Sequence, residues 1–241
     1  MERYAIIHEK MPREFVLLQG QGCRWRQCIF CDYHEDVSTD PFEVNRPVLE
    51  KVTGQYGVLD VINSGSGAEL DSKTLELIRQ VVQKRHIHTL WFEMHWMYRK
   101  QLKAFAAQFP GVEVKFRTGA ETFDPVLRTH WKKGIPASVT PEDIAEYFQG
   151  VCLLCCTKGE NREHILSDIK TADRLFEYFS VNLFCNNHTS CERDEELAGW
   201  FVQEVLPEIE NNPKIEVLIN NTELGVGTKD AGKCDIMDKV R

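Results

Sequence analysis

The chain has 241 residues, 42% of them hydrophobic and 27% charged, with a formal net charge of -8. This suits one globular domain over residues 1–241 with a substantial core, and no apolar run reaches the roughly 20 residues that a membrane-spanning helix needs. The start, Met-Glu-Arg-Tyr-Ala-Ile-Ile-His, lacks the apolar centre of a signal peptide, and no cluster of lysine and arginine marks a nucleic-acid footprint. The expectation is a cytoplasmic protein with a small-molecule substrate and neither a membrane nor a nucleic-acid partner.

In chain order, short apolar stretches rich in branched and aromatic residues predict strands over 14–19, 58–63, 89–94, 112–117, 150–155, 179–185 and 215–219. Between them lie segments of helical period. Asp71-Ser72 followed by Leu75, Leu77, Ile78, Val81 and Val82 reads as a capped helix, and 98–109 and 197–209 carry similar apolar faces. Strands alternating with helices predict an α/β fold with a parallel sheet, here an open, partial TIM-like barrel of about six βα units, too few to close an eight-fold barrel. The final residues, 230–241, read as a frayed tail after a strand and a turn through Gly225 and Gly227, with Asn220 or Asn221 available to a pocket.

Nine cysteines, an odd number, without a secretion signal read as thiols and ligands rather than a disulfide framework. Cys23, Cys28 and Cys31 share the loop directly after the first predicted strand, in Gln-Gly-Cys-Arg-Trp-Arg-Gln-Cys-Ile-Phe-Cys-Asp-Tyr. Closed structural metal sites use four protein ligands, so three thiolates leave a coordination position open for a substrate or cofactor. His34 keeps a Cys3His zinc site open as an alternative. Cys152, Cys155 and Cys156 fall on an apolar strand and read as core packing, with a second cluster as the alternative; Cys185 and Cys191 leave a metal role open.

In α/β folds the functional groups gather after the C-terminal ends of parallel strands. The unusual residues of this chain fall there: the cysteine loop, then Asn63-Ser64-Gly65-Ser66-Gly67-Ala68-Glu69, then Glu93-Met94-His95, then Arg117 to Thr122, then Cys185-Asn186-Asn187-His188. Glycines in the second segment let backbone approach a ligand closely.

The C-x4-C-x2-C loop with the Ser-Gly-Ser-Gly segment after the next strand resembles the radical S-adenosylmethionine (SAM) superfamily, although most of that superfamily places three residues between the first two cysteines. The resemblance implies a partial barrel and a 4Fe-4S cluster held by Cys23, Cys28 and Cys31. It implies SAM bound at Phe30, against the adenine, and at Ser64, Gly65, Ser66 and Glu69, for the amino group. Arg117 is the candidate for the SAM carboxylate. The chemistry implied is one-electron cleavage of SAM to a 5'-deoxyadenosyl radical that abstracts hydrogen from the substrate, fed by an electron donor such as flavodoxin or ferredoxin.

Compact size, cysteine spacing and the Asn-Ser-Gly-Ser segment resemble the queuine lyases within that superfamily, which implies a lyase cleaving queuine to preQ1. A 7-deazaguanine presents an amide and an exocyclic amine that a carboxylate can accept together, so Asp32, Glu93 and Glu121 are candidates for recognition, with His95 and Asn186 beside them. Cys152, Cys155, Cys156 and Cys185 are the thiols available for hydrogen donation, and no catalytic residue is assigned. The alternatives are another radical SAM enzyme, acting on RNA or activating a glycyl-radical protein, and a non-catalytic iron-sulfur or zinc protein.

Overall fold

A computed structural model describes residues 1–220. Asn221, Gly225, Gly227, Cys234 and the 230–241 tail lie outside the described residues. The chain divides into two compact units: residues 1–26 with 33–118, and Gln27–Asp32 with, among the described residues, 119–220.

In the first unit, β1 (Tyr4–Ile7) runs antiparallel to β2 (Arg13–Leu18). From β2 onward, β3 (Val58–Asn63), β4 (Thr89–Glu93) and β5 (Glu113–Glu121) add in parallel, with Phe15 beside Asp60 and Glu93 beside Arg117 in register. The helices between are α1 (Pro41–Leu49), α2 (Ser72–Lys84) and α3 (Leu102–Ala106). The end of β5 enters the second unit, which holds α4 (Pro125–His130), α5 (Pro141–Ala145), β6 (Gly150–Cys155), α6 (Arg162–Leu175), β7 (Tyr178–Leu183), α7 (Glu195–Trp200), α8 (Leu206–Ile209) and β8 (Ile215–Leu218). There β6, β7 and β8 pair in parallel. Strand order follows chain order from β1 to β8, and the succession of parallel βα units is that of a partial TIM-like barrel.

Consecutive residues Leu59-Asp60-Val61 and Leu90-Trp91-Phe92 are buried, as parallel strands covered on both faces must be. Helix α2 starts where Asp71 accepts the Thr74 N–H at 2.9 Å, and it buries Thr74, Ile78, Val81 and Val82, one stripe of a 3.6-residue period. No helix among the described residues is long and apolar enough to cross a membrane.

The elements depart from the sequence expectation in four places. Strand β1 is only four residues long and is held by its hairpin partner rather than by a pattern of its own. The expected 98–109 helix begins as a 3-10 turn, Trp96–Gln101, because the His95 side chain accepts the Met97 N–H at 3.2 Å and tightens the entry. The 197–209 helix is interrupted by a π turn, Phe201–Val205, ahead of Pro207, whose missing N–H removes one i to i-4 bond. Strand β5 continues through Glu121, so Thr118, Gly119, Ala120 and Glu121 lie inside the strand rather than beyond its expected end at 117.

Candidate functional site

In the first unit the cysteine loop, the glycine-rich segment and the end of β4 are tied together by Glu69. One carboxylate oxygen accepts the backbone N–H of Arg24 at 3.1 Å and the hydroxyl of Tyr98 at 2.7 Å; the other accepts the Ser66 N–H at 3.1 Å. Burial, reinforced by the bond to Glu69, pushes the Tyr98 phenol up to about 12, so it stays a donor. Ser66 is buried, and its hydroxyl accepts the His95 N–H at 3.0 Å; the Ser64 hydroxyl accepts the Gly20 N–H at 3.0 Å. A β-carbon on Gly65 would stand 2.3 Å from the Glu69 carboxylate, 3.0 Å from the Gly22 carbonyl oxygen and 3.3 Å from Cys23 Cα. Glycine is what allows that approach. On the other side of Cys23, Trp25 stacks on the buried His95 with centroids 5.4 Å apart, and the Arg26 N–H points at Cys23 Sγ from 3.4 Å.

Arg117 is paired within the sheet. Its two terminal nitrogens bind both oxygens of the fully buried Asp60 at 2.6 and 2.8 Å, and Arg13 Nε reaches the same carboxylate at 2.8 Å. Arg117 Nε lies 3.7 Å from Glu93, which is half-buried at the end of β4. The guanidinium on which the SAM carboxylate expectation rested is therefore engaged by the sheet's own internal charge.

In the second unit Phe30, flanked by Cys28 and Cys31, packs into an apolar cluster with Leu127, Trp131 and Phe184, and meets Trp131 edge to face at 5.8 Å. The Asn187 side chain donates to the Phe30 carbonyl at 2.8 Å, and the Ile29 N–H donates to the Trp131 carbonyl at 3.2 Å. Glu121 is buried at the end of β5, paired with Lys133 at 2.7 Å, and holds a left-handed φ of 65°, uncommon for a side chain of its kind. Asn186 accepts the Arg193 N–H at 2.8 Å and, with Asn187 and Cys191, lines a polar cavity of about 530 Å³. Asp32 is partly exposed beside Cys31.

Of the residues singled out from the sequence, the structure joins Cys23, Ser64, Gly65, Ser66, Glu69 and His95 in one connected set in the first unit. Phe30 joins Cys28 and Cys31 in the second. The sequence pattern did not single out Asp60, Tyr98, Trp25 or Lys133. Only Trp25, inside the cysteine spacing, carried a local signal.

The eight cysteines among the described residues are all free thiols, with Cys23, Cys28 and Cys31 partly exposed. Each cysteine of a 4Fe-4S cluster binds its own iron, so its ligands need not converge on one point, whereas a Cys3His zinc ion draws all four together. Among the described residues no three His, Cys, Asp or Glu side chains converge on a single-ion site. The soft donor set and the N–H directed at Cys23 Sγ fit the cluster.

Parallel βα units in chain order, with three cysteines on the loop after the first parallel strand, are the features of the radical SAM class. No protein-family model matches the sequence, and no curated protein does. Among solved structures the chain is similar to the queuine lyase from Clostridium spiroforme bound to SAM and queuine, with 40% sequence identity and a TM-score of 0.90 over 95% of this chain and 100% of that one. The chain belongs to the queuine lyase family of radical SAM enzymes.

Proposed function

We propose that this enzyme cleaves the carbon-nitrogen bond of free queuine, releasing the aminomethyl 7-deazaguanine preQ1. The observation that carries this reading is the full-length similarity to a queuine lyase at 40% identity. A 4Fe-4S cluster held by Cys23, Cys28 and Cys31 would supply one-electron reductive cleavage of SAM, the source of hydrogen abstraction from the cyclopentenediol.

The chain's own residues bind, orient and exclude water. Cys23, Cys28 and Cys31 hold the cluster. Backbone of the Ser64–Ser66 segment receives the SAM amino group, and Glu69 acts on that segment as its brace, because its carboxylate already accepts from Arg24, Ser66 and Tyr98. Phe30 anchors the loop and gives the adenine an apolar surface. Glu93, half-buried at the end of β4, offers the paired acceptor that the base edge of a 7-deazaguanine needs, with His95 next to it. Asp32, Glu121 and Asn186 are further candidates for substrate contact. Arg117 serves as the counter-charge to Asp60, tying β5 to β3.

Electrons come from a small donor such as flavodoxin or ferredoxin. The free thiols and the cluster suit the reducing cytoplasm. The test is to replace Cys23, Cys28 and Cys31 by alanine one at a time and reconstitute each variant anaerobically. Every variant should lose both bound iron and preQ1 formation; a variant that keeps both contradicts the ligand assignment.

A further inference from the structure

Three consecutive residues after α4 address three consecutive residues of the cysteine loop. The Trp131 carbonyl accepts the Ile29 N–H at 3.2 Å, the Lys132 carbonyl oxygen lies 3.9 Å from Cys28 Sγ, and Lys133 Nζ stands 5.7 Å from the centre of the Phe30 ring. The trace bends to make this match, because Lys132 takes a left-handed φ of 54°. Holding a residue with a β-carbon in that region costs about 1–2 kcal/mol, so the surrounding contacts must fix it.

Lys133 is an unusual cation for this place. Its side chain is 12% exposed, and its ammonium is held by Glu121, itself 10% exposed. Glu121 also has a left-handed backbone, and it lies against Gly119: a β-carbon there would fall 2.3 Å from the Glu121 carboxylate and 2.8 Å from Lys133 Nζ. The strand thus provides a glycine, and two residues adopt uncommon backbone angles, around one ion pair. A surface pair held for stability needs none of this, since such pairs contribute about 0–1 kcal/mol. Lys133 is the member of the pair that reaches the aromatic ring between Cys28 and Cys31.

We propose that Lys133 is a positioning residue for the Cys28–Cys31 limb, whose fixed positive charge raises the reduction potential of the cluster held there, with Glu121 moderating that charge. The inference rests on the cluster reading above. Reduction adds a negative charge to the cluster, and a cation in a poorly hydrated setting beside it favours that state. The face of the Phe30 ring attracts the ammonium and so holds Lys133 against the Cys28–Cys31 limb.

The test is an EPR-monitored redox titration of the anaerobically reconstituted protein, with neither SAM nor queuine present, on wild type, K133M, K133R and E121Q. With the cluster assembled, K133M should move the midpoint to more negative potential and K133R should restore it. E121Q, which keeps the lysine and removes the opposing charge, should move it to more positive potential. A residue serving packing alone would not shift the midpoint in opposite directions for the two neutralising changes. An E121Q midpoint equal to that of wild type overturns the proposal, even where K133M fails to fold. A wild-type chain that assembles no cluster overturns the cluster reading and this inference together, an outcome distinct from an intact cluster with unmoved potentials.

Discussion

Glu69 accepts the backbone N–H of Arg24, the residue after Cys23, at 3.1 Å across 45 positions of sequence. The same carboxylate accepts from Ser66 and Tyr98, so one side chain joins the cysteine loop to the glycine-rich segment and to the turn after β4. Hydrogen bonds to a charged acceptor contribute about 1.5–3 kcal/mol each, net of exchange with water. Glu69→Ala should therefore weaken SAM binding by at least about tenfold, or about 1.4 kcal/mol, with Glu69→Gln intermediate. Equilibrium binding of SAM to the reconstituted protein measures this, and unchanged affinity in Glu69→Ala would remove the brace from the account.

Asp60 answers two arginines in the interior of the sheet. With Arg13 and Asp60 both fully buried and Arg117 nearly so, removing the carboxylate takes away the buried counter-charge that the two guanidinium groups share. Breaking a buried pair in this way costs about 3–5 kcal/mol. Asp60→Ala is expected to lower the unfolding free energy of the apoprotein, read from urea denaturation, by that amount or to prevent folding. A variant as stable as wild type would mean that water reaches the two guanidinium groups.

Two acids in the second unit make stability fall as pH rises. Burial pushes Glu160 up to about 7, although Thr157 donates to it, and burial likewise pushes Asp168 up to about 6. The folded state therefore keeps their protons where the unfolded chain has released them. The contribution is complete below the ordinary carboxylate value of 4.5 for Glu160, declines through about 7, and is gone above it. Each group sets a slope of at most about 1.4 kcal/mol per pH unit. Denaturant unfolding of wild type and Glu160→Gln at pH 5, 6, 7 and 8 should show a steeper decline in wild type from 5 to 7 and parallel curves from 7 to 8; parallel curves throughout contradict the assignment.

What the sequence made legible was local. Asp71 four residues before Leu75, the first of an apolar helical stripe, announces α2, and three cysteines within nine positions after an apolar run announce the loop. The charge network was not legible. Arg117 and Asp60 stand 57 residues apart, and nothing near either says that the arginine will be satisfied inside the sheet rather than by a ligand. Asn187 reaches the Phe30 carbonyl across 157 residues, a bond that exists only once the strand order brings the two loops together. Glu121 read as a loop carboxylate because its strand continues through a glycine, and Lys133, in a polar stretch after a short helix, looked like ordinary surface. The π turn before Pro207 shows the same limit: proline marks where regular bonding fails, and packing decides how the helix absorbs it.

The most direct test of the account is anaerobic incubation of the reconstituted enzyme with SAM, a strong reductant and queuine, reading 5'-deoxyadenosine and preQ1 by mass spectrometry. The account predicts both products, each absent when SAM is omitted. Formation of 5'-deoxyadenosine without preQ1, from protein with a full complement of cluster iron, would contradict queuine as the substrate; absence of both would contradict radical SAM chemistry in this chain.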